Sequence, residues 1–131
     1  MVAEAYDTRG MSIPGVWQPM PVAPALVSWQ LRRIGGRVAA RDVAADFRHS
    51  TPGNEGFWSY YARGTYQNMS VFGPQYSWGQ PGCFLFRLTR SAFDTSSVPD
   101  GVYDLVVTVM DIRGNTSSKA LRLTIHNRAG W

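Results

Sequence analysis

The sequence "DGVYDLVVTVMDIRGNTSSKALRLTIHN", residues Asp100–Asn127, decides the fold of this chain. From Val102 to Asp111, apolar and more polar side chains alternate, which is the two-residue period of a strand with one face in a core. The apolar face consists of Tyr103, Leu105, Val107 and Val109. The segment Lys119–Asn127 alternates in the same way through Leu121, Leu123 and Ile125. The two runs predict a hairpin of antiparallel strands.

The connection between these runs, "DIRGNTSS", has two interpretations. Its carboxylate, amide and hydroxyl oxygens could bind an ion, or the segment could be only a turn. A calcium loop uses six to eight oxygen ligands, usually several carboxylates, whereas Asp111 is the only carboxylate here. We therefore predict a turn, in which Gly114 has a positive φ and Asn115 either tolerates that conformation or bonds the neighbouring backbone, and we predict no metal site.

A turn sequence, Pro99-Asp100-Gly101, precedes the first strand, and Tyr103 stands at the strand's start, where its hydroxyl can bond the preceding corner. The succession Asp-Gly-x-Tyr, alternating strand, Asp-x-x-Gly-Asn and closing strand resembles the last two strands of bacterial immunoglobulin-like and fibronectin-III-like modules. The resemblance covers about 28 residues. It implies an all-β, immunoglobulin-like antiparallel β-sandwich. The cysteine pair of antibody domains is absent, since Cys83 is the only cysteine.

The remaining segments predict further strands. In "ALVSWQLRR", the side chains of Val27, Trp29 and Leu31 share one face, so Trp29 is predicted to be a core residue. "GGRVAARDVAADFRH" permits a helix or a strand, and we favour a strand because glycine and proline turns flank it. "VAEAYDT" alternates weakly and is also predicted to be a strand, and "CFLFRLT" is the fourth predicted strand in this part of the chain. With 131 residues, 44% of them apolar, residues 1–131 fit a single domain with a core.

Residues 57–78, "FWSYYARGTYQNMSVFGPQYSW", interrupt this pattern as a long aromatic-rich loop insertion. They contain eight aromatic residues among small polar ones, without a clear period. The rings could pack as a satellite core, or form a surface that binds a sugar or a protein. The candidate binding residues are Trp58, Tyr60, Tyr61, Tyr66, Tyr76 and Trp78. We expect about half of them to be buried.

Other function classes find little support. The net charge is +4, but the twelve arginines are spread from Arg9 to Arg128, so we predict no nucleic-acid binding. No apolar run is long enough to span a membrane, and "MVAEAYDTRG" lacks the pattern of an export signal. His49 lies in a segment without a catalytic motif, and Cys83 precedes a run of apolar residues. We predict no enzyme, no catalytic residue and no cofactor.

The resemblance implies a non-catalytic module of a larger secreted or cell-envelope protein, serving as an accessory, spacer or protein-interaction domain in an extracellular location. One alternative is a carbohydrate-binding module that uses residues 57–78 on a cell-wall or other polysaccharide surface. A second alternative is a self-assembling surface or filament subunit that associates through exposed strand edges or the aromatic segment.

Overall fold

A computed structural model describes residues 1–7, 22–65 and 83–128 of the chain. This part of the protein is mostly β, with two antiparallel sheets and one short helix. Its elements are β1 (Val2–Glu4), β2 (Leu26–Arg33), β3 (Val38–Asp46), α1 (Phe57–Tyr60), β4 (Leu85–Arg87), β5 (Gly101–Met110) and β6 (Thr116–Ile125). The prediction of an all-β fold is confirmed.

The larger sheet has four antiparallel strands in the order β3-β2-β5-β6. The predicted C-terminal hairpin is confirmed, because every residue of β5 pairs with one of β6, from Gly101 with Ile125 to Met110 with Thr116. The ambiguous segment around residue 40 is the strand β3, as predicted. The alanine-rich sequence of β3 is compatible with a helix. Its backbone N–H and C=O groups instead form hydrogen bonds with β2.

The smaller sheet consists of β1 and β4. Both strands are shorter than the sequence predicted, although backbone hydrogen bonds continue past their ends from Ala5 N to Phe84 O and from Leu88 N to Met1 O. Tyr61 forms an isolated bridge to Phe86 on the other edge of β4. The segment after α1 is therefore held against this sheet.

The core lies between the two sheets. Trp29 and Tyr103 are both buried, which confirms the prediction made from the alternating strands. Across the core from them, Phe86 and Leu88 of the β4 segment are also fully buried. The remaining large core side chains are Val27, Leu31, Phe57, Tyr61, Phe84, Val98, Leu105 and Ile125.

Two aromatic side chains of the larger sheet donate hydrogen bonds that connect their strands to neighbouring segments. The Tyr103 hydroxyl donates to the carbonyl of Pro99 at 2.6 Å, so the tyrosine bonds the corner that precedes its own strand. The Trp29 indole Nε1 donates to the carbonyl of Leu88 at 2.6 Å. The second bond joins the larger sheet to the segment that continues β4, and it satisfies a buried carbonyl.

The segment Asp111–Asn115 is a turn, as predicted. The Asp111 carboxylate accepts hydrogen bonds from the backbone N–H groups of Arg113 and Asn115, at 2.8 and 2.9 Å, and from the Asn115 amide at 2.7 Å. Gly114 has a φ of 89°. The prediction of a positive φ at Gly114 is confirmed, and the oxygen atoms of Asp111 stabilise the turn.

Gly114→Val should lower the free energy of unfolding by about 1 kcal/mol or more, because a β-branched residue is strained at positive φ. An added Cβ would meet no atom within 4 Å, so a steric clash would not contribute and the loss of stability would report the backbone conformation alone. Urea titration of both proteins measures it. Gly53→Val is the matched control, since Gly53 is exposed, has space for a Cβ and lacks a positive φ. Equal effects at the two positions would contradict the conformational explanation.

Candidate functional site

The aromatic candidates at the start of the 57–78 segment are positioned by the one-turn helix α1, which the sequence did not predict. Phe57 and Tyr61 are four residues apart, so their rings lie on the same side of the turn, with centroids 4.5 Å apart. Both side chains are buried in the core. Trp58, the residue after Phe57, is 46% exposed, and its ring lies edge-to-face against that of Phe57 at 4.9 Å. The buried rings of Phe57 and Tyr61 therefore support the exposed indole of Trp58.

Tyr60 and Tyr61 are less exposed to solvent than Trp58. The Tyr60 ring is half-buried and packs edge-to-face against Phe47, with centroids 5.2 Å apart. Tyr61 is only 3% exposed and contacts Phe86 at 4.9 Å between ring centroids. Burial raises the pKa of Tyr61 to about 12, since the phenolate would lose its hydration. Tyr61 therefore presents no ring face to solvent.

The other three candidates, Tyr66, Tyr76 and Trp78, lie outside the described residues. Their assignment to a binding surface stays a prediction. The three candidates within the described residues, Trp58, Tyr60 and Tyr61, lie at one helical turn, and Trp58 is the most exposed of these three.

Two open depressions adjoin this turn. One has a volume of about 490 Å³ and is lined by Phe47, Pro52, Phe57, Tyr61 and Ile112 among others. The second, of about 630 Å³, includes Tyr60, Arg87, Phe93 and Asp94 in its lining. Both are open to solvent, which suits contact with a surface or a polymer better than enclosure of a small molecule.

Near His49, one of the two titratable residues singled out in the sequence, an aspartate is paired with an arginine. Asp46 receives two hydrogen bonds from the Arg48 guanidinium, at 2.8 and 2.7 Å, and these bonds lower the pKa of Asp46 to about 2. His49 is exposed in the loop that follows. In residues 1–7, 22–65 and 83–128, no three His, Cys, Asp or Glu side chains are grouped as a metal site would require.

Cys83 is half-buried, and its Sγ lies 3.8 Å from a carboxylate oxygen of Glu4. Burial, and next the negative charge of Glu4, raise the pKa of the thiol. A reactive cysteine needs the opposite environment, in which a cation or a helix N-terminus stabilises the thiolate. The geometry accords with an unreactive side chain.

The turn at Asp111 gives a prediction about calcium. Three donors already engage the carboxylate, and the side-chain bond from Asn115 contributes most to a lowered pKa for Asp111. An ion would have to displace these donors with only one carboxylate in the turn. We expect the melting temperature to be the same in chelator and in millimolar calcium. A fall of several degrees on chelation, reversed by calcium, would show that the segment binds the ion.

A further polar surface, which the sequence analysis did not identify, lies on the outer face of the four-stranded sheet. The sheet brings together Arg32 of β2, Arg41 of β3 and Arg122 of β6, all exposed. Asp104 lies between Arg32 and Arg122 and accepts a hydrogen bond from Arg122 Nε at 3.0 Å. This interaction raises the pKa of Arg122. The adjacent pair "RR" was the only sequence signal of this surface.

In the described part of the chain, no helix has the length and apolar character needed to cross a membrane. No protein-family model matches the chain, and it has no significant match among curated proteins or among solved structures. Its function must therefore be inferred from the geometry of its own residues.

Proposed function

We propose that this chain is an immunoglobulin-like β-sandwich. The four-stranded sheet supports this, because β2 lies beside both its hairpin partner β3 and the much later strand β5. Such an order is what a Greek-key sandwich requires. The buried Trp29 corresponds to the core tryptophan of an immunoglobulin strand C, and Tyr103, bonded to Pro99 O, corresponds to a tyrosine corner.

The function that this architecture favours is that of a non-catalytic interaction domain in a larger secreted or cell-envelope protein. The observation that supports it is the placement of Trp58. Its neighbours Phe57 and Tyr61 are anchored in the core, so the exposed indole is held in one position with little entropy left to lose on binding. Rigid, exposed tryptophans are frequent centres of protein interfaces.

The test combines sedimentation of the domain with capture of envelope proteins from the source cells, for the wild type and for Trp58→Ala. We expect the variant to stay folded, with a melting temperature lower by a few degrees at most, and to lose binding by about tenfold or more. Tyr6→Ala is the control, because Tyr6 is a similarly exposed ring on another part of the surface. If Trp58→Ala and Tyr6→Ala bind as the wild type does, Trp58 is not part of an interface.

Carbohydrate binding is the second candidate, because an exposed indole face also fits a sugar ring. Pull-down on insoluble cell-wall and plant polysaccharides distinguishes carbohydrate binding from protein interaction. Stacking on a neutral sugar should persist in moderate salt and be lost in Trp58→Ala, with the protein monomeric throughout. Binding to envelope proteins alone would favour the first function.

Self-assembly is the third candidate. The edge strand β6 leaves Leu121 64% exposed, which favours association with another copy. The same strand contains Lys119 and Arg122, and charged side chains on an edge oppose strand-to-strand pairing. Sedimentation at increasing concentration tests self-assembly, since the sedimentation coefficient of a filament-forming protein would rise.

A further inference from the structure

The outer face of the larger sheet has a trough along β2. Ser28 and Gln30 form its floor, and the walls rise on β3 and β5. The trough has a volume of about 460 Å³ and is open to solvent. The rest of the lining consists of Trp29 of β2, of Arg41, Asp42 and Val43 of β3, and of Val106 and Thr108 of β5.

The floor of the trough offers unused hydrogen-bonding groups. In the described part of the chain, neither the Ser28 hydroxyl nor the Gln30 amide has a side-chain hydrogen bond. Gln30 alone provides two donors and an acceptor. On the neighbouring strands, Thr108 and Ser118 bond to each other at 2.7 Å. Polar groups of this kind, lying flat along a strand, match the hydroxyl groups of an extended sugar chain.

The trough lining contains Arg41 and Asp42, and Asp42 pairs with Trp29, so its side chain projects to the other face of the sheet. Arg41 is paired across the sheet with Gln30, and Arg32 is two residues further along β2, so the two arginines lie on the same face of neighbouring strands. Among the described residues, neither arginine forms an ion pair with a carboxylate. Asp104, an acidic group on this face, is paired with Arg122. Arg32 and Arg41 are thus available to an anionic ligand.

We propose that this trough binds an anionic polysaccharide, with carboxylate groups on Arg32 and Arg41 and sugar hydroxyls on Gln30 and Ser28. A guanidinium group binds a carboxylate through two parallel hydrogen bonds, so these arginines give both charge and orientation. The trough residues include no exposed aromatic ring on which a nucleic-acid base would stack. Nor do they form a deep apolar pocket of the kind that anchors a peptide side chain. The proposal goes beyond the function proposed above and does not depend on the aromatic segment.

The experiment measures binding by calorimetry to polygalacturonate fragments, with neutral galactan of matched length as the uncharged probe. We expect the domain to bind the acidic polymer and not the neutral one. Arg32→Gln together with Arg41→Gln should weaken binding by about tenfold or more. The control, Arg90→Gln together with Arg113→Gln, removes the same charge from two exposed positions elsewhere and should change binding less than about twofold.

A second variant separates a sugar site from a general anion site. Gln30→Ala keeps the charge and removes hydrogen bonds to hydroxyl groups, so it should weaken binding of polygalacturonate several-fold and leave the binding of inorganic polyphosphate unchanged. Equal losses from the two arginine pairs would overturn the proposal, because they would show that only net charge matters. Tighter binding of an acidic peptide or of single-stranded DNA than of polygalacturonate would also overturn it. The melting temperatures of all variants verify that each is folded.

Discussion

Tyr103→Ala should lower the free energy of unfolding by about 3–5 kcal/mol, the range for removal of a large aromatic ring from a core. Tyr103 is fully buried at the start of β5, a strand that pairs with both β2 and β6. The substitution leaves a cavity between the sheets and removes the bond to Pro99 O. Since small domains are stable by about 5–15 kcal/mol, the variant should melt many degrees below the wild type.

Tyr103→Phe separates the two parts of this effect. It keeps the ring and removes only the hydroxyl bond at 2.6 Å, so the expected loss is about 1 kcal/mol. Urea titrations of the wild type and both variants give the three values. Near-equal losses in the two variants would mean that the corner bond, rather than core packing, dominates at this position.

Trp29→Ala should have an effect of similar size, about 3–5 kcal/mol. The Trp29 ring packs edge-to-face on Phe93 at 5.9 Å, and its indole bonds the buried Leu88 carbonyl. The variant leaves both a cavity and an unpaired carbonyl. Trp29→Phe retains part of the ring and still loses the hydrogen bond, so we expect an intermediate loss.

Trp58→Ala is the matched control for Trp29, because it removes the same side chain from a half-exposed position. The expected loss of stability is smaller, about 1–2 kcal/mol, because the indole is half-exposed and its main contact is the edge-to-face packing on Phe57. Denaturant unfolding followed by circular dichroism measures all three variants alike. A larger loss from Trp58→Ala than from Trp29→Ala would contradict the assignment of the core.

The parts of the fold that the sequence predicted correctly are those where periodicity and turn chemistry agree. The hairpin of β5 and β6 has two alternating strands around a glycine that needs positive φ, so local signals determine it. In β1, where the sequence alternates only weakly, the pattern does not indicate which face is buried. Ala5 is buried and Ala3 packs against the core, while Val2 and Tyr6 are exposed.

The candidate sites were harder to predict, for a different reason. The sequence identified the aromatic segment by composition, but composition does not say which rings are buried, and the helical turn that separates Trp58 from Tyr61 has no local signature. The arginines of the outer face were interpreted as dispersed, since Arg32, Arg41 and Arg122 are far apart in the chain. They become neighbours only through the strand register, which depends on contacts along the whole chain.

The position of β5 beside β2 has a consequence for the order of events during synthesis. Each residue of β2 pairs with a residue of β5 that is translated roughly 70 or more residues later. Until then, the nascent hairpin of β2 and β3 exposes Trp29 and its apolar neighbours, with no partner strand to cover them. A ribosome releases about 5–20 residues per second, so this exposure lasts for seconds. The chain is therefore most vulnerable to association with other nascent chains just before its C-terminal strands emerge.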